Sequence, residues 1–479
     1  MKKQISAESL DLIINELNNT FKKNIILKNF SFTEMLIKLD LNELVENLHF
    51  LQSQRVLKIN SLIITGSEYS EIINSPSFIS ISFYDVEVKV RLNFIGKNDK
   101  IENSSMQAIS FTECLFRVQQ SFFQIESNVL ISNCDFRFKS IEFHNMEYSI
   151  EIHDSKKIDE VNFFNTLTPF TLINKSEVKS LKLTNYKNND DTNLELNESI
   201  INMIDIRTTN KGIINIQDCT ISRCFAFVPN SLIQANNIKH LFSIEIDCAS
   251  EIKISQIRGV EHLAISNINH DSFVDLVNIQ FSGNNPSLEF ERSILKNCFL
   301  RSIDLSNVKV VFSDSTSHEI QPFSLNWEKA KSIETNSSEI DFFRDLKNYY
   351  LKANDSYYSH YFFQIERNIL LNENVLNLLN GKNTLTNLLI LYFNKLTGNG
   401  FSFFKPLLVI TICTLYIHAI NSNDLSDIEE LSHWLIPFKE INEHTNNIWE
   451  FSIYLILSLL NTSCLFQAIQ GFRKFNKRF

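Results

Sequence analysis

Glycine and proline are scarce in this chain of 479 residues, which contains 9 and 7 of them. Both residues mark ordinary turns, because glycine adopts left-handed backbone easily and proline fixes φ. Turns must therefore rely on Asn, Asp and Ser, whose side chains bond to their own main chain. The Asn-Gly and Asp-Gly pairs of tight β-hairpins are missing from 25–320, which argues against a fold built from hairpins.

The eight cysteines show no regular spacing that would indicate a disulfide framework. Four of them lie in short apolar strings, where a thiol behaves as a small hydrophobic group: Cys114, Cys134, Cys219 and Cys298. We expect these thiols to be reduced and buried, as in a chain whose body faces the cytosol.

No strong charge of one sign is present, since 45 Lys and Arg stand against 55 Asp and Glu, a net charge of -10. Nucleic-acid binding normally needs a basic face, so no nucleic-acid partner is expected. Hydrophobic residues make up 44% of the chain, and 40 residues are Phe. We therefore expect a packed core of aromatic and β-branched side chains and not a disordered chain.

Motifs of the common catalytic and ligand-binding sites are also missing. The string Gly398-Asn399-Gly400 continues into Phe-Ser-Phe, so it is neither a dinucleotide fingerprint nor a phosphate-binding loop. Neither Gly-x-Ser-x-Gly nor His-Glu-x-x-His occurs. We predict no catalytic residue, no cofactor and no metal site, and hence no enzyme. A β-helix enzyme acting on a polymeric substrate ranks third among the functions, with Arg137, Arg292 and Arg301 as its available basic residues.

The first 24 residues are predicted to form an N-terminal helical cap. Leu10, Ile13, Ile14 and Leu17 recur at helical spacing and would form one apolar face. Residues 25–325 then change to short alternating apolar strings, broken by Asn, Asp and Ser and without helical crossovers. Clear strings lie at 86–90, 181–185, 244–247, 263–267 and 303–307.

Three further strings resemble degenerate pentapeptide-type or parallel β-helix rungs, at 111–116, 131–136 and 216–221. Asn or Asp after a short strand lets the chain turn a corner into the next coil. Because the spacing is irregular, we predict a mainly β fold with an irregular right-handed parallel β-solenoid. A β-sandwich is the alternative, disfavoured by the missing hairpin dipeptides.

Residues 326–399 change to helical periodicity. Ile340, Phe343 and Leu346 fall on one helical face, and Asn354 with Asp355 provides a turn and a cap before a second helix. A helical hairpin is predicted. Five tyrosines in it form a cluster that we interpret as packing, with a ligand site as the alternative: Tyr349, Tyr350, Tyr357, Tyr358 and Tyr361.

Residues 400–479 contain two hydrophobic runs that we predict to be transmembrane helices, at about 401–420 and 451–470. Two buried helices of a soluble core are the alternative. The acidic loop 421–447 lies between the runs, and basic residues flank them. By the positive-inside tendency, the body and both termini are expected in the cytoplasm. The orienting residues are Lys405, Arg473, Lys474, Lys477 and Arg478.

Polar side chains inside the predicted spans are the candidate functional residues. Such groups bridge helices or line a water-filled path in a bilayer. We expect them to join copies of the chain into a homo-oligomer or, less favoured, to line a pore. They are Thr411, Thr414, Asn461, Thr462 and Ser463.

Motifs in the C-terminal third carry a family resemblance. They are Phe-Arg-Asp-Leu-Lys at 343–347, Phe-Phe-Gln-Ile-Glu at 362–366, Asn-Lys-Leu-Thr-Gly-Asn-Gly-Phe-Ser at 394–402, and the basic tail. Over roughly 339–479 the chain resembles bacterial membrane proteins that join a pentapeptide or β-helix-like body to two C-terminal transmembrane helices. The resemblance implies an architecture and no particular activity.

The sequence favours a membrane-anchored, non-catalytic protein whose solenoid presents a cytoplasmic recognition surface. Its expected partners are the lipid bilayer and an unidentified protein, and its expected location is the cell (inner) membrane as a multi-pass protein. The alternative is a pore-forming or membrane-perturbing effector, as in anti-phage defence, with the solenoid as its sensor.

Overall fold

The computed structural model of the chain describes residues 2–22, 32–51, 56–66, 70–73, 80–90, 92–95, 108–117, 120–124, 128–136, 140–144, 149–164, 170–185, 193–239, 241, 243–315, 320–335, 339–379, 392, 404–421 and 448–476. The chain divides into two compact units, Met1–Ser337 and Ser338–Phe479. The first unit consists mainly of β-strands, and the second is helical.

The first unit is a parallel β-solenoid, in which neighbouring strands of a sheet come from successive coils. One sheet has 14 strands: Leu48–Leu51, Val56–Asn60, Ser80–Tyr84, Ala108–Thr112, Asn128–Ser132, Ile150–His153, Thr171–Asn174, Leu194–Asn197, Gly212–Gln217, Ser231–Asn236, Glu251–Ser255, Phe273–Val277, Asn297–Arg301 and Gln321–Phe323. A second sheet has 13 strands: Ser70–Ile73, Leu92–Ile95, Gln120–Gln124, Ser140–His144, Ile158–Phe164, Glu177–Asn185, Ile200–Thr208, Thr220–Phe227, Ser243–Asp247, His262–Ser266, Ser287–Glu291, Lys309–Ser313 and Ser332–Thr335.

Two smaller sheets complete the described strands. One has five strands, Lys3–Ser6, Leu62–Thr65, Glu87–Val88, Leu115–Phe116 and Asp135–Phe136, and the other pairs Arg258–Val260 with Gln280–Phe281. Among the strands described, only the pairing of Leu48–Leu51 with Val56–Asn60 is antiparallel. The predicted mainly β, parallel solenoid is confirmed, and the β-sandwich is wrong because sandwich sheets pair antiparallel strands. The predicted right hand stays a prediction.

Parallel register explains the heavy use of phenylalanine. Inward positions of successive coils lie above one another at the strand spacing of about 4.8 Å, so identical rings stack. Stacked pairs are Phe83–Phe111 at 4.7 Å, Phe116–Phe136 at 4.6 Å, Phe143–Phe163 at 5.1 Å and Phe290–Phe312 at 5.3 Å between ring centroids. These stacked pairs lie in the core of the solenoid, whose other buried side chains are mainly Ile, Leu and Val.

The corners that follow strands of the 14-stranded sheet are made without glycine in the part of the chain that the structure describes. From Val56–Asn60 onward, each strand of the 14-stranded sheet is followed by one residue of positive φ: Ser61, Asp85, Glu113, Asn133, Asp154, Lys175, Glu198, Asp218, Asn237, Gln256, Asn278, Ser302 and Ser324. Left-handed backbone costs such residues about 1–2 kcal/mol. A bond to the next coil offsets this cost, as where the backbone N–H of Asn133 donates to the carbonyl of His153 at 3.0 Å.

The residue after each of these corners lies buried, and in the middle coils it forms a polar ladder. The backbone N–H of Ser155 donates to Oγ of Ser176 at 3.2 Å, and the N–H of Ser176 donates to Oγ of Ser199 at 3.1 Å. Cys134 precedes them in the ladder and donates its N–H to Oγ of Ser155 at 3.3 Å. Each side chain thus satisfies a buried backbone donor of the neighbouring coil.

All eight cysteines are free thiols. The four predicted to be buried are buried, as are Cys224 and Cys464, whereas Cys248 and Cys413 are half-buried.

The predicted strand at 303–307 is wrong. Ser302 has positive φ, and Asp304 forms only a single bridge with Gln280. Oδ1 of Asp304 accepts hydrogen bonds from Oγ and N–H of Ser306 at 2.7 and 3.1 Å, which closes a turn. The alternating pattern there places Ile303 and Leu305 inside a corner and not along a strand.

Short helices lie at the N-terminal end. They are α1 (Ala7–Lys22), α2 (Phe32–Lys38) and a 3-10 turn at Asn42–Leu44. α1 packs beside Ser70–Ile73, the first strand of the 13-stranded sheet, and its predicted apolar face is fully buried: Leu10, Ile13, Ile14 and Leu17. The last coil contains a second 3-10 turn, Trp327–Lys329, in which Trp327 is fully buried.

The second unit contains helices α3 (Glu339–Lys352), α4 (Ser356–Leu379), α5 (Phe404–Asn421) and α6 (Ile448–Asn476). α3 packs on α4, and α5 packs on α6. Asn354 has positive φ, and Oδ1 of Asp355 accepts the N–H groups of Tyr357 and Tyr358 at 3.0 and 3.1 Å, capping α4.

Among the helices in the described part of the chain, none combines the length and the apolar character that crossing a bilayer requires. The transmembrane helices predicted at 401–420 and 451–470 are therefore not supported, and α5 and α6 occupy these positions.

Candidate functional site

The buried face of α6 carries a polar residue without a partner. Asn461, Cys464 and Ala468 are 3%, 0% and 5% exposed and lie on one side of the helix, which we name the α6 stripe. On α5, Ile410 is likewise buried, at 3% exposure. Among the described residues, neither Nδ2 nor Oδ1 of Asn461 has a hydrogen-bond partner. Leaving a buried polar group unpaired costs about 1–3 kcal/mol, so this amide gains from any partner.

Large apolar side chains are exposed on the same two helices, and we name them the outer face. On α5 they recur every fourth residue and therefore share one side. They are Phe404 at 74%, Leu408 at 64% and Ile412 at 58% exposed, with Ile456 at 58%, Leu459 at 51% and Phe466 at 62% on α6. Exposed apolar side chains gathered on one face are typical of an interaction site or a membrane contact.

The other polar candidates do not join Asn461. Thr411 is exposed, and its Oγ1 donates to the carbonyl of Leu407 in the same helix at 2.9 Å. Thr462 and Ser463 are exposed on α6 and lie outside the α6 stripe. Thr414 lies on α5, but its side chain is outside the described part of the chain.

The predicted orienting residues lie at the ends of this helix pair. Lys405 is exposed in the first turn of α5. Arg473 and Lys474 lie near the end of α6, without described side chains, and Lys477 and Arg478 lie outside the described residues.

A buried carboxylate joins α3 to α4. The side chain of Glu366 is 7% exposed; its Oε1 accepts Nε of Arg344 at 3.1 Å, and its Oε2 accepts Nζ of Lys347 at 2.8 Å. Arg344 also bonds Asp341 at 2.7 Å. Two cations on one buried carboxylate fix the pairing of the two helices. No sequence motif marks this role of Glu366, although it lies four residues after the buried Phe362 and hence on the same face of α4.

The tyrosine cluster packs within the same helix pair. The ring of Tyr350 lies 5.1 Å from that of Tyr358 and 5.7 Å from that of Phe362, and Tyr361 contacts Phe362 at 5.2 Å. These ring contacts hold α3 against α4, as expected for a packing cluster.

A serine and a histidine lie side by side on the 13-stranded sheet, on the side that points away from the core. Nδ1 of His262 is 2.6 Å from Oγ of Ser287, and Oε1 of Glu289 is 3.7 Å from the same nitrogen. A catalytic triad needs its serine and its carboxylate on opposite ring nitrogens. Here the serine and the carboxylate approach the same nitrogen, so the three side chains do not have the triad arrangement.

The basic residues named for a polymer-cleaving enzyme are not brought together. Arg301 is on the 14-stranded sheet and pairs with Asp275, whereas Arg292 follows a strand of the 13-stranded sheet and pairs with Glu291 at 3.3 Å. Arg137 lies outside the described residues. Within the described ranges, no group of three or more His, Cys, Asp or Glu side chains is placed to hold a metal ion.

No family model, curated protein or solved structure matches this chain. The fold defines the class of protein, a parallel β-solenoid joined in sequence to a helical unit. The family resemblance stays a prediction; of its motifs, 343–347 lie on α3 and 362–366 on α4, and 394–402 lie outside the described residues.

Proposed function

We propose that this β-solenoid protein is attached to the cell (inner) membrane by α5 and α6 and presents a non-catalytic recognition surface to a protein partner. The exposed outer face carries the proposal, with Phe404 at 74% and Phe466 at 62% exposure. Removing such side chains from water stabilises by about 25 cal/mol per Å² of apolar surface. The acyl chains of a bilayer would supply this cover.

The basic residues at the end of α6 support an orientation. Arg473 and Lys474 lie near the end of the helix, and Lys477 and Arg478 follow in the sequence. Clustered basic residues beside a membrane segment favour the cytoplasmic leaflet, which is rich in anionic lipid. The solenoid and both termini are accordingly proposed to lie on the cytoplasmic side.

A row of amides on the 14-stranded sheet supports a recognition role. Asn174, Asn197, Gln217 and Asn236 are register partners on successive coils and point away from the core. We name them the amide row. An extended chain lying along it would meet side-chain amides at the regular spacing of the coils. Asn197 already donates Nδ2 to Glu195 at 2.8 Å and Gln217 donates Nε2 to Asp218 at 3.1 Å, so a ligand would exchange these bonds for its own. The contact between His262 and Ser287, which lacks the arrangement of a catalytic triad, favours binding over catalysis.

Membrane attachment is tested by charging the outer face. The double variant Leu408→Lys/Ile412→Lys should leave the carbonate-washed membrane pellet and appear in the supernatant, because two lysines on that face oppose insertion. Leu408→Val/Ile412→Val, which keeps the same two positions apolar, is the matched control and should stay in the pellet. A double lysine variant that remains in the pellet would contradict the attachment.

Recognition is tested with the first unit alone. Residues 1–337 form a compact unit and should retain the partner in a pull-down from cell extract. Asn197→Lys should reduce the captured partner, while Lys179→Ala on the other sheet should not. Failure of the fragment to retain any protein that the full chain captures would remove the recognition role.

A second candidate function is a membrane-perturbing effector, favoured by the unpaired amide of Asn461. Several helix pairs would assemble through this residue, with the solenoid sensing a trigger. Expression should then be toxic, and Asn461→Leu should abolish the toxicity while leaving the protein level unchanged. Absence of toxicity and of conductance in planar bilayers would exclude this function.

A further inference from the structure

The unpaired amide of Asn461 is costly where it stands. Asn461 is 3% exposed, both of its polar atoms lack partners, and the other residues of the α6 stripe are Cys464 and Ala468. None of these neighbours on the stripe can match a carboxamide in hydrogen bonding. A state in which Nδ2 and Oδ1 of Asn461 both form hydrogen bonds would therefore have a lower free energy than the single chain.

A second copy of the same residue is a complete partner for it. A carboxamide has one donor group and one acceptor, so two of them related by a two-fold axis satisfy each other with two N–H···O bonds. The small side chains of Cys464 and Ala468 lie on the same stripe and let two helix backbones approach closely. The stripe is thus self-complementary in hydrogen bonding and in shape.

The lengths of the two helices favour the replacement of α5 by the α6 helix of a second copy. α6 has 29 residues and α5 has 18, so α5 can cover only part of α6. A second α6 could pair along the full length, which α5 cannot.

We infer that two copies of this chain associate through their α6 stripes, with Asn461 facing Asn461 and α6 of the partner copy displacing α5 from the stripe. The inference rests on the proposed membrane attachment, because lipid does not compete for the amide bonds. It adds a defined partner, a second copy, and a defined register to the proposed function.

The thiol of Cys464 reports this arrangement directly. It lies three residues after Asn461 on the stripe and is fully buried. In the full-length chain with Cys413→Ser, copper-phenanthroline oxidation of native membranes should join two chains through Cys464. Peptide mass spectrometry of the dimer band identifies the linked residue.

Asn461→Leu should weaken association about 5- to 30-fold, the range found for interhelical polar contacts in membranes. The readout is the fraction of Cys464-linked dimer across a dilution series in lipid vesicles. This variant removes an unpaired polar group from an apolar site, so the helix pair should remain folded, as helical circular dichroism would show. Thr462→Leu, one residue along and exposed, is the matched control and should keep the wild-type dimer fraction.

Two results would overturn the inference. One is an unchanged dimer fraction in Asn461→Leu. The other is a chain with Ile456→Cys that cross-links through the outer face while Cys464 does not. In both cases a chain still found in the membrane pellet would leave the attachment intact, so failure of the inference and failure of the proposed function are separable.

Discussion

The backbone N–H of Ser155 donates to Oγ of Ser176 at 3.2 Å, which joins the same corner of two adjacent coils. Oγ of Ser176 in turn donates to the carbonyl of Asn174 at 2.9 Å. One hydroxyl therefore satisfies a buried donor and a carbonyl at once.

Ser176→Ala should lower the free energy of unfolding by about 1–3 kcal/mol, because it leaves the N–H of Ser155 buried and unpaired. Ser176→Cys should cost less, since cysteines occupy the same corner position at Cys134 and Cys219. Urea unfolding followed by circular dichroism measures both. Ser222→Ala, on an exposed position of a strand, is the control and should change stability by less than about 0.5 kcal/mol.

Lys175 has a φ of 50° at one of the left-handed corners, so substitutions there test the free-energy cost of this backbone conformation. Lys175→Gly should raise stability by about 0.5 kcal/mol, because glycine adopts this conformation without strain. Lys175→Val should lower stability by about 1–2 kcal/mol, since a β-branched residue tolerates it poorly. The contact between Lys175 and Glu198 is exposed and contributes little. Lys179→Gly, within a strand, is the control and should lower stability. If it raised stability instead, the gain from Lys175→Gly would not be specific to the corner.

The core contains an apolar cavity of about 20 Å³ where small side chains replace stacked rings, among them Cys224, Ala226 and Ala235. Ala235→Val should fill it and raise the unfolding temperature, with a gain of about 1 kcal/mol. Ile254→Ala should enlarge it and cost about 2–5 kcal/mol. Ala264→Val, on the 13-stranded sheet and pointing away from the core, is the matched control. An equal gain in that control would mean that cavity filling is not the cause.

Thiol reactivity should follow burial. Desolvation raises the pKa of Cys224 to about 12 and that of Cys219 to about 11, so both remain protonated at pH 8. Among the solenoid cysteines, iodoacetamide should label the half-buried Cys248 first. Peptide mapping after brief labelling measures the order. Labelling of Cys224 before Cys248 in the folded chain would contradict the described core.

Acid stability should depend on Asp304. Hydrogen bonds from Asn326 and Ser306 hold the pKa of its carboxyl below the ordinary value. A lowered folded-state pKa contributes stability above the unfolded pKa of about 4, and this contribution is lost as the pH falls below it. Urea midpoints from pH 7 to pH 3 should therefore fall less steeply in Asp304→Asn. Identical slopes in the two proteins would exclude this role.

Part of the fold could be predicted because its signals are local. The alternating strings indicated short strands, the apolar face of α1 was visible from Leu10 to Leu17, and Asp355 marked the start of a helix. The string at 111–116 was interpreted as a rung. The structure shows a strand, a left-handed corner at Glu113 and a second strand, because the N–H of Glu113 bonds the carbonyl of Ser132 in the next coil.

The candidate site was predicted in part. Asn461 could be singled out as a polar residue in an apolar run, but it could not be separated from the other four polar candidates: Thr411, Thr414, Thr462 and Ser463. Its distinction depends on which side of α6 is buried. The pairing of His262 with Ser287 depends on coil register and has no sequence motif.

The sequence by itself determined the alternation of inward and outward side chains, the polar corners and the two apolar helices, because these follow from the two periods of strand and helix. The tertiary structure decided which residues of different coils meet and which polar groups find partners. Parallel stacking brings together residues about twenty positions apart, and within the described residues the amide of Asn461 is buried on α6 without a hydrogen bond.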